Sequence, residues 1–165
     1  MTQHDPADRD FSRRSGAAAI GARLRRLSER IDRDASRLYR ESGEAFEQRW
    51  YGVVRLLSEQ EAQSVGELAT ALGVSHASIS QIRDGLARAG LIAWDTDRKN
   101  ARLRRLRLTA EGRALATRLA PLWEALNAAA VELNDEAHNA LAALDRLEDA
   151  VARSSLYDRI KAKLG

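Results

Sequence analysis

Residues 64 to 109 constrain this chain more than any other stretch: SVGELATALGVSHASISQIRDGLARAGLIAWDTDRKNARLRRLRLT. A short apolar-periodic segment, Ser64 to Leu72, runs into Gly73, which supplies the positive φ of a tight interhelical turn. Ser75 then stands where a helix N-cap belongs, ahead of His76, Ala77 and Ser78. Ile79, Ile82 and Leu86 give the second helix an inward face, and Gly90 closes it. Two strands follow, Leu91 to Asp95 and Leu103 to Thr109, joined by TDRKNAR. In the second, Leu106 and Leu108 alternate with Arg105 and Arg107, giving a dry face and a charged one.

Charge singles out the hairpin. Arg98, Lys99, Arg102, Arg104, Arg105 and Arg107 stand together without an acid among them, in a chain whose formal net charge is only +3. The distribution, more than the total, points to a polyanionic partner. A helix pair alone is ordinary packing. With a basic hairpin attached, it has the layout of a winged helix-turn-helix, which sets one helix in a DNA groove.

The flanks read as helices. Met1 to Ser15 is polar and charged and is expected to be a mobile arm. Ile20, Leu24, Leu27, Ile31 and Leu38 form one stripe on a first long helix, which the Ser42–Gly43 pair should end. A second helix is expected from Glu44 to Gln60, with Phe46, Trp50, Val53, Val54, Leu56 and Leu57 on a broad apolar face. Beyond Thr109, Leu115, Leu119, Leu122, Leu126 and Leu133 form a stripe interrupted by Pro121, which should kink or restart the helix. Asn134–Asp135 reads as a break and new cap. Leu141, Leu144, Leu147 and Val151 make the next stripe, and Tyr157 to Leu164 a short last helix. The fold class is therefore mainly α with a small β-hairpin wing. An arm (1–15), an N-terminal helix (16–42), a winged helix-turn-helix (43–110) and a C-terminal helical region (111–165) follow in order. The stripes at both ends exceed what one small domain covers; a homodimer or an intramolecular bundle would bury them.

Other classes find little support. The chain has no cysteine, which removes disulfides, thiolate metal sites and thiol-based oxidant sensing. His4, His76 and His138 are scattered without metal-ligand spacing, and neither a phosphate loop nor a nucleophile elbow occurs, so neither an enzyme nor a cofactor is expected. The first residues lack the apolar centre of a signal peptide, and there is no apolar run of about 18 residues. A cytoplasmic protein is the expectation.

The whole order from Ala17 onward resembles the MarR family of bacterial transcriptional regulators. Two strings carry the resemblance. One is S-V-x-E-L-A-x-x-L-G-V-S-x-x-x-I-S over Ser64 to Ser80, continuing as L-x-x-x-G-L-I at Leu86 to Ile92. The other is the wing signature at Asp97 to Arg102, followed by Leu108-Thr109-Ala110-Glu111-Gly112. Lys99 stands where the family usually has arginine, and Asn100 where it usually has aspartate. Lysine keeps the charge without the planar fork, and asparagine makes no ion pair. Arg102 falls at the family's wing-tip arginine.

On this resemblance the chain regulates transcription as a sequence-specific DNA-binding repressor. The recognition helix would present Ser75, His76, Ser78, Ser80, Gln81 and Arg83. Gln81 is the best candidate for a base reader, since a carboxamide pairs bidentately with adenine; Ser75, which also caps the helix, and Ser78 can donate to phosphates. Arg98, Lys99, Arg102 and Arg104 of the wing would enter the minor groove or follow the backbone. The family implies interleaved termini in a two-fold dimer on a pseudo-palindromic duplex. It also implies release by a small aromatic effector, for which Tyr39, Trp50, Tyr51 and Trp123 are candidate crevice residues or, more plainly, core. The alternative is a winged-helix interaction module that has given up DNA. The basic tip discriminates, since such a module has no reason to keep it.

Overall fold

A computed structural model of the chain describes residues 10–96 and 104–165. The chain divides into two compact units, Met1–Thr117 and Arg118–Gly165.

The first unit opens with a feature the sequence did not suggest. Instead of continuing as an arm to Ser15, residues 10–14 fold into a one-turn helix, α1 (Phe11–Arg14), with Asp10 as N-cap. The Asp10 carboxylate accepts from the Ser12 amide at 2.9 Å and from both Arg26 Nη atoms, at 3.2 and 2.7 Å. A 3-10 turn (Gly16–Ala19) then leads into α2 (Ile20–Glu41), 22 residues or about 33 Å long. Only its C-terminal part enters the core, through Ala35 and Tyr39. Ile20, Leu24, Leu27, Ile31 and Leu38 are 37% to 56% exposed.

The next helix starts later than the expected Glu44. After Ser42 and Gly43 the Glu44 amide bonds back to the Tyr39 carbonyl, and Glu47 is extended. The four-residue link seats the Phe46 ring 4.8 Å from Tyr39. Helical structure resumes as a 3-10 turn (Gln48–Trp50) and α3 (Tyr51–Glu59), which buries Val53, Val54 and Leu57. Propensity favoured an earlier start, but ring burial against α2 decides the path.

Helices α4 (Val65–Leu72) and α5 (His76–Arg88) follow as expected. The turn between them rests on Gly73, at φ 64°. Strands β1 (Ile92–Thr96) and β2 (Arg104–Leu108) pair antiparallel, Ile92 opposite Leu108 and Trp94 opposite Leu106. Gln63 adds an isolated bridge to Leu106, its amide and carbonyl bonded at 3.0 and 2.7 Å. Leu106 and Leu108 are buried and Arg105 and Arg107 half-buried, so the alternation read in the sequence holds.

Thr109 joins the hairpin to the long helix α6 (Ala110–Glu136). Its hydroxyl donates to the Gly90 carbonyl at 2.8 Å and accepts the Gly112 amide at 3.0 Å. A Cβ on Gly112 would collide with the Leu91 carbonyl. The Leu-Thr-x-Glu-Gly string is thus a packing device. Leu108 is buried, the threonine caps, and the glycine lets the helix touch the strand.

α6 continues through Pro121 without restarting, and buries Leu115, Leu119 and Trp123. It also passes the expected break at Asn134–Asp135. The reversal comes at His138 and Asn139, both at positive φ. Asn134 Oδ1 accepts the Leu141 amide at 2.9 Å, while Asn139 caps α7 (Ala140–Arg153) through the Ala142 amide at 3.3 Å. The signal was right in kind, since asparagine tolerates the left-handed region, but it belonged to the second asparagine. The last helix is α8 (Leu156–Leu164), capped by Ser155. Neither α7 nor α8 buries a side chain fully. Leu141, Leu144, Val151, Leu156, Tyr157, Ile160 and Leu164 are 38% to 77% exposed. Among the described residues no helix is long and apolar enough to cross a membrane.

Candidate nucleic-acid interface

The α5 N-terminus is built by its cap. Ser75 Oγ accepts the Ser78 amide at 3.1 Å and lies 2.9 Å from Ser78 Oγ, so both hydroxyls are held on the first turn. Ser75, His76, Ser78 and Gln81 are exposed and Ser80 is half-buried. The helix therefore turns polar side chains outward around the positive end of its dipole while Ile79 and Leu86 anchor it from behind. The His76 ring lies over Gly66 of α4, whose Cβ position is 3.4 Å from Cε1. Arg83 is committed to its neighbour: Nε donates to Asp84 Oδ1 at 2.9 Å and Nη2 lies 2.8 Å from the same oxygen. To hold a phosphate it must exchange that partner.

Of the expected wing residues, Arg98, Lys99 and Arg102 lie outside the described residues. Arg104 is exposed at the base of β2, opposite Thr96 in the register. Arg105 has a task that alternation alone did not assign. Its Nη2 donates to the Ala62 carbonyl at 2.7 Å and sits 3.1 Å from Glu67 Oε2, while Nη1 donates to Glu67 Oε1 at 3.3 Å. Glu67 also accepts the Ser64 amide at 2.7 Å, and the Glu67 amide bonds Ser64 Oγ at 3.2 Å, a reciprocal capping box. The Ser64 amide is the main cause holding the Glu67 carboxyl below its ordinary range; the Ser64 hydroxyl and Arg105 add to it, and burial opposes. Wing and helix-turn-helix are stapled by one carboxylate. The S-V-x-E spacing is the signal of a capping box, which the sequence reading left undrawn. The arginine that shares its glutamate depended on the hairpin register. Trp94, 43% exposed on β1, is a second residue the sequence reading passed over. An aromatic at an inward-alternating position gave no sign that it would be half in solvent.

The four crevice candidates are mostly core. Tyr39 and Trp50 are buried, as is Trp123, and Tyr51 is half-buried. The Tyr39 hydroxyl donates to Gln48 Oε1 at 2.8 Å, and Phe46 meets Trp50 edge-to-face at 5.7 Å. An open groove of about 430 Å³ lies elsewhere, along Ala17, Ile20, Leu24 and Leu27 with Arg13, Arg23, Arg26 and Arg30 at its sides. Among the described residues no group of three or more His, Cys, Asp or Glu side chains is placed to hold a metal ion.

Comparison with known proteins now bears on this arrangement. The MarR family pattern matches residues 48–103, from the turn before α3 to the wing. Over those residues the winged helix-turn-helix is similar to the MarR family. A MarR family transcription regulator, SP03579, superposes with a TM-score of 0.60 at 26% identity, covering 85% of this chain and 92% of that one. A probable transcriptional regulator from Pseudomonas aeruginosa gives 0.61 at 26% identity, covering 78% and 96%. The S. aureus MepR–DNA complex gives 0.67 over 79% and 97%; at 17% identity that likeness is one of fold. No curated protein matches the sequence. The family match spans α3, α4, α5 and β1, and the solved structures extend the likeness of fold into β2 and the flanking helices.

Proposed function

We propose that this chain is a MarR-type transcription regulator that binds duplex DNA as a homodimer. The observation that carries the reading is the outward face of α5. Four polar side chains, Ser75, His76, Ser78 and Gln81, stand exposed on a helix whose other face is locked in the core. Gln81 reads a base edge, the serines meet phosphates, and the wing arginines, Arg102 foremost, take the adjacent groove. The S. aureus MepR complex, with DNA bound, supports the same use of the fold.

The dimer reading draws on the exposed stripes of α2, α7 and α8. Exposed apolar stripes of this kind mark interaction sites, and a second copy offers matching faces. Two recognition helices related by a two-fold axis then address half-sites about 34–36 Å apart. Repression follows from occupying such a site at a promoter in the cytoplasm. An aromatic effector that favours a DNA-incompetent dimer would lift it by population shift, without any catalytic step.

Equilibrium binding to promoter-derived and random duplexes across a salt series tests the reading. Wild type should discriminate among duplexes, and log K should fall linearly with log salt. Arg102→Ala should weaken binding to all duplexes and flatten that slope by about one. Negligible binding at low salt would replace the reading with a protein-interaction role for the winged domain.

A further inference from the structure

Two locally unfavourable choices meet at one contact behind the recognition helix. Trp50 is buried, and among the described residues its Nε1 has no hydrogen-bond partner. A buried N–H left unpaired is uncommon and asks for a reason, because phenylalanine fills a core without that polar atom. Gly85 is buried within α5, where glycine weakens a helix relative to alanine and is kept for packing. A Cβ at Gly85 would lie 3.1 Å from Trp50 Nε1, 3.2 Å from Cζ2 and 3.3 Å from Cε2. The ring edge that carries the unpaired nitrogen is the edge against which α5 rests. Residues that break local rules together at one contact mark a constraint on that contact.

We infer that Trp50 and Gly85 are a positioning pair that fixes the seat of the recognition helix and, through it, the placement of the base-reading side chains. The inference rests on the DNA-binding reading and names how that surface is held. Behind the pair stand two further aromatic rings. Trp50 meets Phe46 edge-to-face at 5.7 Å, and Phe46 meets Tyr39 at 4.8 Å. Tyr39 is fully buried on α2, its hydroxyl tied to Gln48. A ladder of three rings thus runs from α2, which carries the exposed stripe, to α5, which carries Gln81. Gly85 lies one turn beyond Gln81, about 6 Å along the axis. An added methyl group must move the helix or the indole by a few tenths of an ångström. A shift of that size takes up most of the about 0.5 Å within which a binding constellation must be held, so discrimination among duplexes is where it is read.

The test is a double-mutant cycle in the full-length chain, with wild type, Gly85→Ala, Trp50→Phe and the pair combined. Each is titrated with a selected duplex and with random duplex at fixed salt, and each is thermally denatured. Amide NMR shifts of Ser75 to Gln81 supply a readout independent of DNA. In the tryptophan background Gly85→Ala should reduce the selected-to-random affinity ratio by about tenfold or more, and random-duplex affinity by less than about twofold. In the Trp50→Phe background the same change should cost under about threefold, because phenylalanine lacks the atoms that meet the new Cβ. The amide shifts should move in Gly85→Ala and return toward the Trp50→Phe values in the double variant. An equal effect in both backgrounds, or none in either, would overturn the pairing. If Gly85→Ala alone fails to fold, the Trp50→Phe background must restore a folded chain, and continued unfolding also overturns it. Should wild type prefer no duplex while the amide shifts follow the cycle, the DNA reading fails and the seat of α5 stands.

Discussion

Ser64 and Glu67 close the start of α4 as a reciprocal pair, and Arg105 makes their glutamate serve the wing as well. Ser64→Ala removes the acceptor of the Glu67 amide and should cost about 1 kcal/mol of unfolding free energy in a denaturant titration. Glu67 titrates below its ordinary value of 4.5, chiefly because the Ser64 amide donates to it. A carboxyl whose folded pKa is depressed contributes stability above its unfolded pKa and loses it as pH falls through the folded one. The stability gap between wild type and Glu67→Gln should therefore be constant near neutrality and close as pH drops below about 4.5. A gap unchanged down to acid unfolding would deny the staple. Gly112 makes a sharper prediction. Alanine there puts a methyl group into the Leu91 carbonyl, and overpacking of this kind costs about 1–3 kcal/mol, read as a lower thermal midpoint.

Among the elements, the helix-turn-helix was the most legible, because each boundary carries its own chemistry. Ser64 and Ser75 cap, Gly73 takes positive φ, and Leu106 and Leu108 mark the dry face of the hairpin. Where burial rather than capping sets a boundary, the sequence misled. Phe46 docking on Tyr39 delays α3, and Asp10 gripping Arg26 folds a turn out of the expected arm. Both depend on partners that lie 7 and 16 residues away. At the site, the serines and Gln81 of α5 were legible from the helix-turn-helix order, whereas the ties of Arg83 to Asp84 and of Arg105 to Glu67 were not. Arg105→Ala should loosen the hairpin from α4, and faster hydrogen exchange at the Gln63 and Leu106 amides, which bridge the two, would report it.

For the whole molecule, the question is what covers α2, α7 and α8. A homodimer predicts a thermal midpoint that rises with protein concentration. Leu27→Glu places a charge in the exposed α2 stripe and should shift the chain to monomers or unfold it in sedimentation equilibrium. A concentration-independent monomer would leave the bundle reading instead. The claim on which the account turns is that α5 reads bases through Gln81. The most direct measurement is a comparison of wild type and Gln81→Ala on a duplex selected by wild type and on its single-base variants, at several salt concentrations. Gln81→Ala should keep the salt slope but flatten the preference at one base pair, by about 1–3 kcal/mol. Unchanged preference at every position, or an equal loss on all duplexes with a shallower salt slope, would contradict it.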